Sequence, residues 1–261
     1  MKKFDILTPV GMIGGLGLVL YGISSGGGEG IKAFIDIPSL AITVGCSLFA
    51  VTVVYSLTEM KLLIKATVDA FFETKLDRLN LVKTFEDFLV KSRTAGTLNA
   101  IEDDVDRLDD DFLKKGLELA ISNADDDTIR MVLRAKMREE QQNMLKGSKM
   151  YMTWGASAPA FGMVGTLIGL IQMMGDLGSP DEIASGMATA LITTFYGALF
   201  ANLFLNPLGF NLKNKADKKL AYREMQITGI LAIKNGDSKA VLQDKLTSYL
   251  TSEELIAYIG K

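Results

Sequence analysis

A chain of 261 residues, 48% hydrophobic and with a net charge of −3, is either one large soluble domain or a small membrane protein with extramembrane parts. Histidine is absent and Cys46 is the single cysteine, which excludes histidine-based acid–base catalysis, Cys/His zinc sites and disulfides within the chain. The slight negative charge, without a basic groove interleaved with aromatics, excludes nucleic acid as a partner, and no phosphate-cradling loop or catalytic constellation marks an enzyme.

The distribution of charge decides between the two classes. Four stretches lack Asp, Glu, Lys and Arg altogether: Ile6 to Gly28, Ile37 to Thr58, Met150 to Gly175 and Ile183 to Leu212. Each exceeds the roughly 20 residues that a helix needs to cross a hydrocarbon layer, and buried helices of soluble cores seldom run so far without a charge. They are expected to be four transmembrane helices. Gly11, Gly14, Gly15 and Gly17 break up the first apolar stretch, which lacks a convincing cleavage site and is read as a retained span, not a signal peptide. The connection Ser24 to Gly28 is too short for a folded outer domain. Cys46, inside the second span, reads as a small apolar packing residue.

From Glu59 to Lys149 the chain is polar, with apolar residues at helical spacing. Leu81, Val82, Phe85, Phe88 and Leu89 form one such stripe, Phe112, Leu113, Leu117, Ala120 and Ile121 another, and Ile129, Val132 and Leu133 a third. This loop is expected to fold as a helical domain. Between its helices, the acidic run from Glu102 to Asp111 is either a solvated surface or a docking surface for a basic partner.

The third span carries small residues at Gly155, Ala158, Gly162, Gly165 and Gly169; the fourth has Gly186, Ala190, Thr194 and Ala198 four apart. Such stripes let helix backbones approach closely, within the chain or between copies. Pro159 interrupts the third span and Pro207 lies near the end of the fourth, each removing a backbone donor. Thr166, Thr193 and Thr194 place hydroxyls inside the spans, where they bond to a carbonyl one turn back or line a polar path. The tail after Leu212 is amphipathic and opens with Lys213, Lys215, Lys218 and Lys219. Lys and Arg concentrate between Glu59 and Lys149 and after Lys213, so the positive-inside bias puts both termini in the cytoplasm. The short outer loops then hold Glu29, Asp36, Asp176, Asp181 and Glu182. The division expected is 1–58 for two spans, 59–149 for a cytoplasmic helical domain, 150–212 for two further spans and 213–261 for a cytoplasmic helical tail.

No span contains a carboxylate, a basic residue or a histidine. Ion translocation ordinarily needs a charged ligand at membrane depth, so a conducting role requires a second polypeptide to supply it.

The run from Ala158 to Leu170, then Ser179-Pro180, then Ala190 to Ala198, resembles the flagellar stator A subunits of the MotA/PomA family. Phe112 to Leu119 is similar to that family's cytoplasmic motif, and the layout of spans agrees from end to end. The resemblance implies an all-α polytopic membrane protein of the bacterial inner membrane, with four transmembrane helices and a helical cytoplasmic domain. It implies about five A subunits around two B subunits, whose aspartate binds the ion and which anchor to the cell wall. It implies that Pro159 lies beside that aspartate, that Thr166, Thr193 and Thr194 line the ion route, and that Pro207 couples the movement. Contact with the rotor switch protein falls to Arg93 and Glu102, with Asp103 able to share the acidic role. No cofactor is implied beyond the transported Na+ or H+; the paired Thr193 and Thr194 resemble the sodium-driven members, a hydroxyl being able to replace a water in a sodium shell. Two other readings are an energising channel for outer-membrane transport, which usually has three spans, and a non-conducting membrane scaffold.

Overall fold

The computed structural model describes residues 2–26, 30–74, 76–175 and 177–260. Glu29 and Asp176, expected in the outer loops, and Gly27 and Gly28 of the glycine-rich connection lie outside the described residues. In chain order the elements are β1 (Lys2–Phe4), α1 (Leu7–Ser25), a 3-10 turn (Gly30–Phe34), α2 (Ile37–Val54), α3 (Leu57–Phe71), β2 (Phe72–Thr74) and α4 (Arg78–Ala95). There follow α5 (Glu102–Asp106), α6 (Asp111–Ile121), α7 (Asp126–Gly175), α8 (Pro180–Lys234), α9 (Lys239–Thr247) and α10 (Ser252–Ile259). Among the described residues, α1, α2, α7 and α8 are the helices long and apolar enough to cross a membrane.

The third and fourth apolar stretches are not separate helices. Each is one end of a much longer helix, α7 of 50 residues and α8 of 55. Pro159 lies inside α7 without ending it, although it deprives the Gly155 carbonyl of its intrahelical donor. In α8 the turn Phe200–Leu205 is widened to π geometry immediately before Asn206 and Pro207, and in α2 the turn Ala41–Gly45 is widened likewise.

The chain divides into two compact units. The first, residues 1–74 and 143–214, holds the apolar spans. Its core is small and lies at one end of them: Ala66 and Ala70 of α3, Tyr151 and Ala158 of α7, and Ala201, Leu205, Leu208 and Leu212 of α8. The glycine stripes serve contact within the chain. A Cβ on Gly162 would sit 2.9 Å from the Thr193 carbonyl oxygen, one on Gly169 2.5 Å from that of Gly186, and one on Gly197 2.8 Å from that of Ala158. The α7 and α8 backbones therefore touch along two turns and more. By contrast no residue of α1 is buried, and Leu7, Val10, Ile13, Leu18 and Tyr21 face outward, as expected of a helix solvated by lipid or by other chains. Cys46 is also exposed and does not pack inside the chain; α2 presents Ser39, Thr43 and Ser47 inward, and the widened turn Ala41–Gly45 takes Cys46 off the face it would share with Ser39 in a regular helix.

Two three-residue strands, which carry no strand signal long enough to read, pair antiparallel with Lys2 opposite Thr74 and Phe4 opposite Phe72. The second unit, residues 75–142 and 215–261, has the larger core. Leu81, Val82, Phe85, Phe88 and Leu89 of α4 meet Phe112, Leu113 and Leu117 of α6, Ile129 and Leu133 of α7, and Met225, Ile227, Ile230 and Ile233 of α8. The helical stripes of the sequence thus form its interior. Gly116 and Gly229 permit the close approach: a Cβ on Gly229 would meet the Phe85 ring at 2.5 Å, and one on Gly116 would strike Ile230. Leu242 and Leu246 of α9 close the core.

Candidate functional site

Between α7 and α8, three hydroxyls converge on one carbonyl. The Ala190 oxygen lies 3.0 Å from Thr166 Oγ1, 3.1 Å from Thr193 Oγ1 and 3.3 Å from Thr194 Oγ1. Thr166 and Thr194 are also hydrogen-bonded to each other through their hydroxyls. Each threonine reaches a carbonyl of the preceding turn as well: Thr166 that of Gly162 at 3.2 Å, Thr193 that of Thr189 at 2.9 Å, and Thr194 that of Ala190. A hydroxyl has one proton, so these acceptors compete, and the hydrogen-bond pattern can switch without moving a backbone. Gly165 makes the approach possible, since a Cβ there would collide with the Thr193 side chain.

The two adjacent threonines face differently. Thr194 is exposed and Thr166 half-buried, whereas Thr193 is fully buried, its carbonyl accepting a 3.3 Å bond from Thr43 Oγ1 of α2. Thr166 and Thr194 therefore form the outward oxygen pair and Thr193 backs it. Pro159, half-buried, precedes Thr166 by seven residues and so shares its face of α7, two turns and about 10 Å away. Every ligand atom here is a neutral oxygen. Among the described residues no group of three or more His, Cys, Asp and Glu could hold a metal ion.

At one end of these spans Tyr196 of α8 holds the segment before α2: its hydroxyl donates to the Phe34 carbonyl and accepts from the Asp36 N–H at 3.1 Å. Asp36 in turn caps α2 through the Ser39 N–H at 2.8 Å. At the other end Pro207 is exposed and follows the widened turn of α8.

The charged candidates lie in the second unit. Arg93 is exposed in the last turn of α4, where Gly96 ends the helix with φ of 71°, and its guanidinium donates to the Gly236 carbonyl at 3.0 Å. Glu102 and Asp103 open α5 and are exposed, as suits carboxylates at a helix N-terminus. The acidic run is not uniform. Asp104 pairs with Lys91 at 2.6 Å and Asp106 with Lys114 at 2.9 Å.

Asp110 does something sequence reasoning missed. It caps α6 through the Phe112 N–H at 3.1 Å and accepts from Arg223 and Gln226, both at 2.7 Å. Arg223 is nearly buried, stacks on the Phe112 ring at 4.4 Å and also reaches Glu140 at 3.2 Å. Burial pushes the Asp110 carboxyl up, but its bonds from Arg223, Gln226 and the Phe112 N–H outweigh that and hold it below the usual carboxylate range. The visible signal was an Asp placed just before an apolar helical stripe; its partner, 113 residues away, had none.

Residues 104–225 match the MotA/TolQ/ExbB proton channel family. The Bacillus subtilis protein YtxD is 35% identical over 97% of this chain and 93% of its own length, and Motility protein A of Treponema pallidum is 32% identical over 95% and 94%. The flagellar MotAB stator complex from Bacillus subtilis contains a chain that superposes with a TM-score of 0.90 at 24% identity, covering 97% of this chain and 99% of that one.

Proposed function

The chain belongs to the MotA/TolQ/ExbB proton channel family, and from that premise we propose that it is the A subunit of a bacterial flagellar motor stator, forming with a B subunit an ion channel that converts ion flow into torque. It is a membrane protein and not an enzyme. The observation that carries the reading is the outward oxygen pair of Thr166 and Thr194 on a span pair devoid of any charged group. Neutral oxygens can pass an ion along but cannot offset its charge at membrane depth, so a carboxylate from a B subunit must complete the site.

On this reading the chain lies in the inner membrane with both termini cytoplasmic, residues 1–58 and 150–212 within the membrane and 59–149 and 213–261 in the cytoplasm. About five copies surround two B subunits. Pro159 faces the B aspartate, Thr166 and Thr194 line the ion route with Thr193 behind them, and Pro207, just after the widened turn of α8, couples the movement. Arg93, Glu102 and Asp103, all exposed, contact the rotor switch protein. The transported ion is Na+ or H+; that only one of the two adjacent threonines is exposed weakens the case for a two-hydroxyl sodium site.

An energising role in outer-membrane transport has the channel family in common, but the full-length match to a Motility protein A and the four spans favour the stator. The test is swimming speed of a stator-deleted host that carries this chain with its B subunit, while external sodium is varied at a fixed proton gradient. Restored swimming supports the stator reading, and its response to sodium identifies the ion. Failure to restore swimming with correctly inserted protein overturns it.

A further inference from the structure

We propose that α3 is a membrane-surface helix whose outer stripe binds anionic phospholipid, with Lys61 and Lys65 taking the headgroup phosphates. The proposal rests on membrane insertion alone, not on the stator reading.

The contacts of α3 place it at the ends of all four spans. Only Tyr55 and Ser56 separate its start at Leu57 from the end of α2 at Val54. Along its length Glu59 pairs with Lys146 at 3.2 Å, Ala66 lies where a Cβ on Gly147 would come within 2.6 Å, and Thr67 meets the Tyr151 hydroxyl at 2.6 Å. Those partners straddle the point where the charge-free part of α7 begins. At its far end the Phe71 carbonyl accepts from the Asp5 N–H at 2.9 Å, just before α1 starts. Ala66 and Ala70 share a core with Leu208 and Leu212, the last apolar turn of α8. A helix of 15 residues, about 22 Å long, that touches the same end of every span lies across them at the border of the hydrocarbon.

The inner face of α3 is Leu63, Ala66, Thr67 and Ala70. The opposite face is Leu57, Lys61, Ile64, Lys65 and Val68, all within about 100° of arc and all exposed. Leu57 is 85% exposed and Ile64 72%. A water-facing stripe would be polar; this one is apolar with two lysines set into it, and the exposed Phe4 and Phe72 rings, 5.5 Å apart, extend it. Neither Lys61 nor Lys65 forms an ion pair among the described residues, whereas the acidic residue at the start of the helix, Glu59, is turned to Lys146. Apolar side chains that reach into acyl chains, with lysine stems rising between them to the phosphate level, are what an anionic bilayer surface fits.

The full chain in detergent is titrated with phosphatidylglycerol and with phosphatidylcholine, and bound lipid is counted by native mass spectrometry. Wild type is expected to prefer phosphatidylglycerol. Lys61→Gln and Lys65→Gln are each expected to weaken that binding about five-fold, the worth of one basic residue at an anionic surface, while Lys61→Arg with Lys65→Arg retains it. Equal binding of the two lipids by wild type, or unchanged binding by the double glutamine variant, overturns the proposal. In phosphatidylcholine–phosphatidylglycerol vesicles, Ile64→Cys in a Cys46→Ser background is expected to stay monomeric under oxidation and to report an apolar setting through an attached fluorophore. Disulfide-linked dimers in that arm would instead put a second copy on the stripe and equally overturn it.

Discussion

Thr194 can be altered in two ways that separate its shape from its oxygen. Thr194→Val preserves volume and removes the hydroxyl from the pair with Thr166, while Thr194→Ser keeps the hydroxyl and loses a methyl. If Thr194 lines the ion route as proposed, swimming is expected to fall at least about ten-fold with valine and to persist with serine, membrane levels being equal by immunoblot, since the oxygen lost is worth on the order of a hydrogen bond to a charge. The glycines divide as sharply. At Gly169 an added Cβ meets the Gly186 carbonyl at 2.5 Å and the Ala190 nitrogen at 2.8 Å, both backbone, so the two helices must part. Gly169→Ala is expected to cost about 1–3 kcal/mol and to lower the midpoint of thermal unfolding in detergent, whereas Gly17→Ala, with nothing within 4 Å, should leave it unchanged.

Arg223 ties α6, α7 and α8 together through Asp110, Glu140 and the Phe112 ring. Arg223→Leu takes the cation from the half-buried Asp110, while Glu140 keeps Lys219 at 3.0 Å, and is expected to destabilise the second unit by about 2 kcal/mol, measured as earlier proteolysis on heating. The pH dependence has a definite sign. Because the folded-state pKa of Asp110 is depressed, its stabilisation is fully present above the ordinary carboxylate range, roughly pH 4, and is lost as pH falls through the lower folded value. Acidification below about pH 4 is therefore expected to lower the unfolding midpoint, with a shallower slope in Asp110→Asn. These elements were unevenly legible in sequence. The stripes through Phe85 and Leu117 could be read because helical spacing repeats over several turns, whereas the Ser56-x-x-Glu59 capping box that starts α3 was missed because it straddles the boundary drawn at Thr58 between apolar stretch and polar loop. The strand pair Lys2–Phe4 with Phe72–Thr74 was not legible, since three residues hold too little periodicity. Nor was the Arg223 network, because pairing across more than a hundred residues leaves no local trace.

At the scale of the whole molecule, the four spans were legible because lipid tolerates so few charges that their absence over 20 residues is itself a signal. The three hydroxyls were legible as polar groups inside the spans, and only family resemblance gave them a role; sequence does not say which way a hydroxyl turns, so the burial of Thr193 beside an exposed Thr194 appeared only in the structure. Without a charged group of its own in the membrane, the chain reconstituted alone is expected to leave liposomes tight to Na+ and H+, with flux appearing only when a B subunit is added, as read by an entrapped dye. The widened turn at Phe200–Leu205 bears on which changes of chain length α8 can survive. A π turn holds one residue more than an α turn between the same two ends, so deleting a single residue there restores ordinary pitch and leaves both flanking faces in phase. The same deletion near Ala190 would rotate every following side chain by about 100° and dismantle the contact with α7. A deletion scan along α8 should therefore show one short window of tolerance, centred on the wide turn, in a helix otherwise intolerant of any loss.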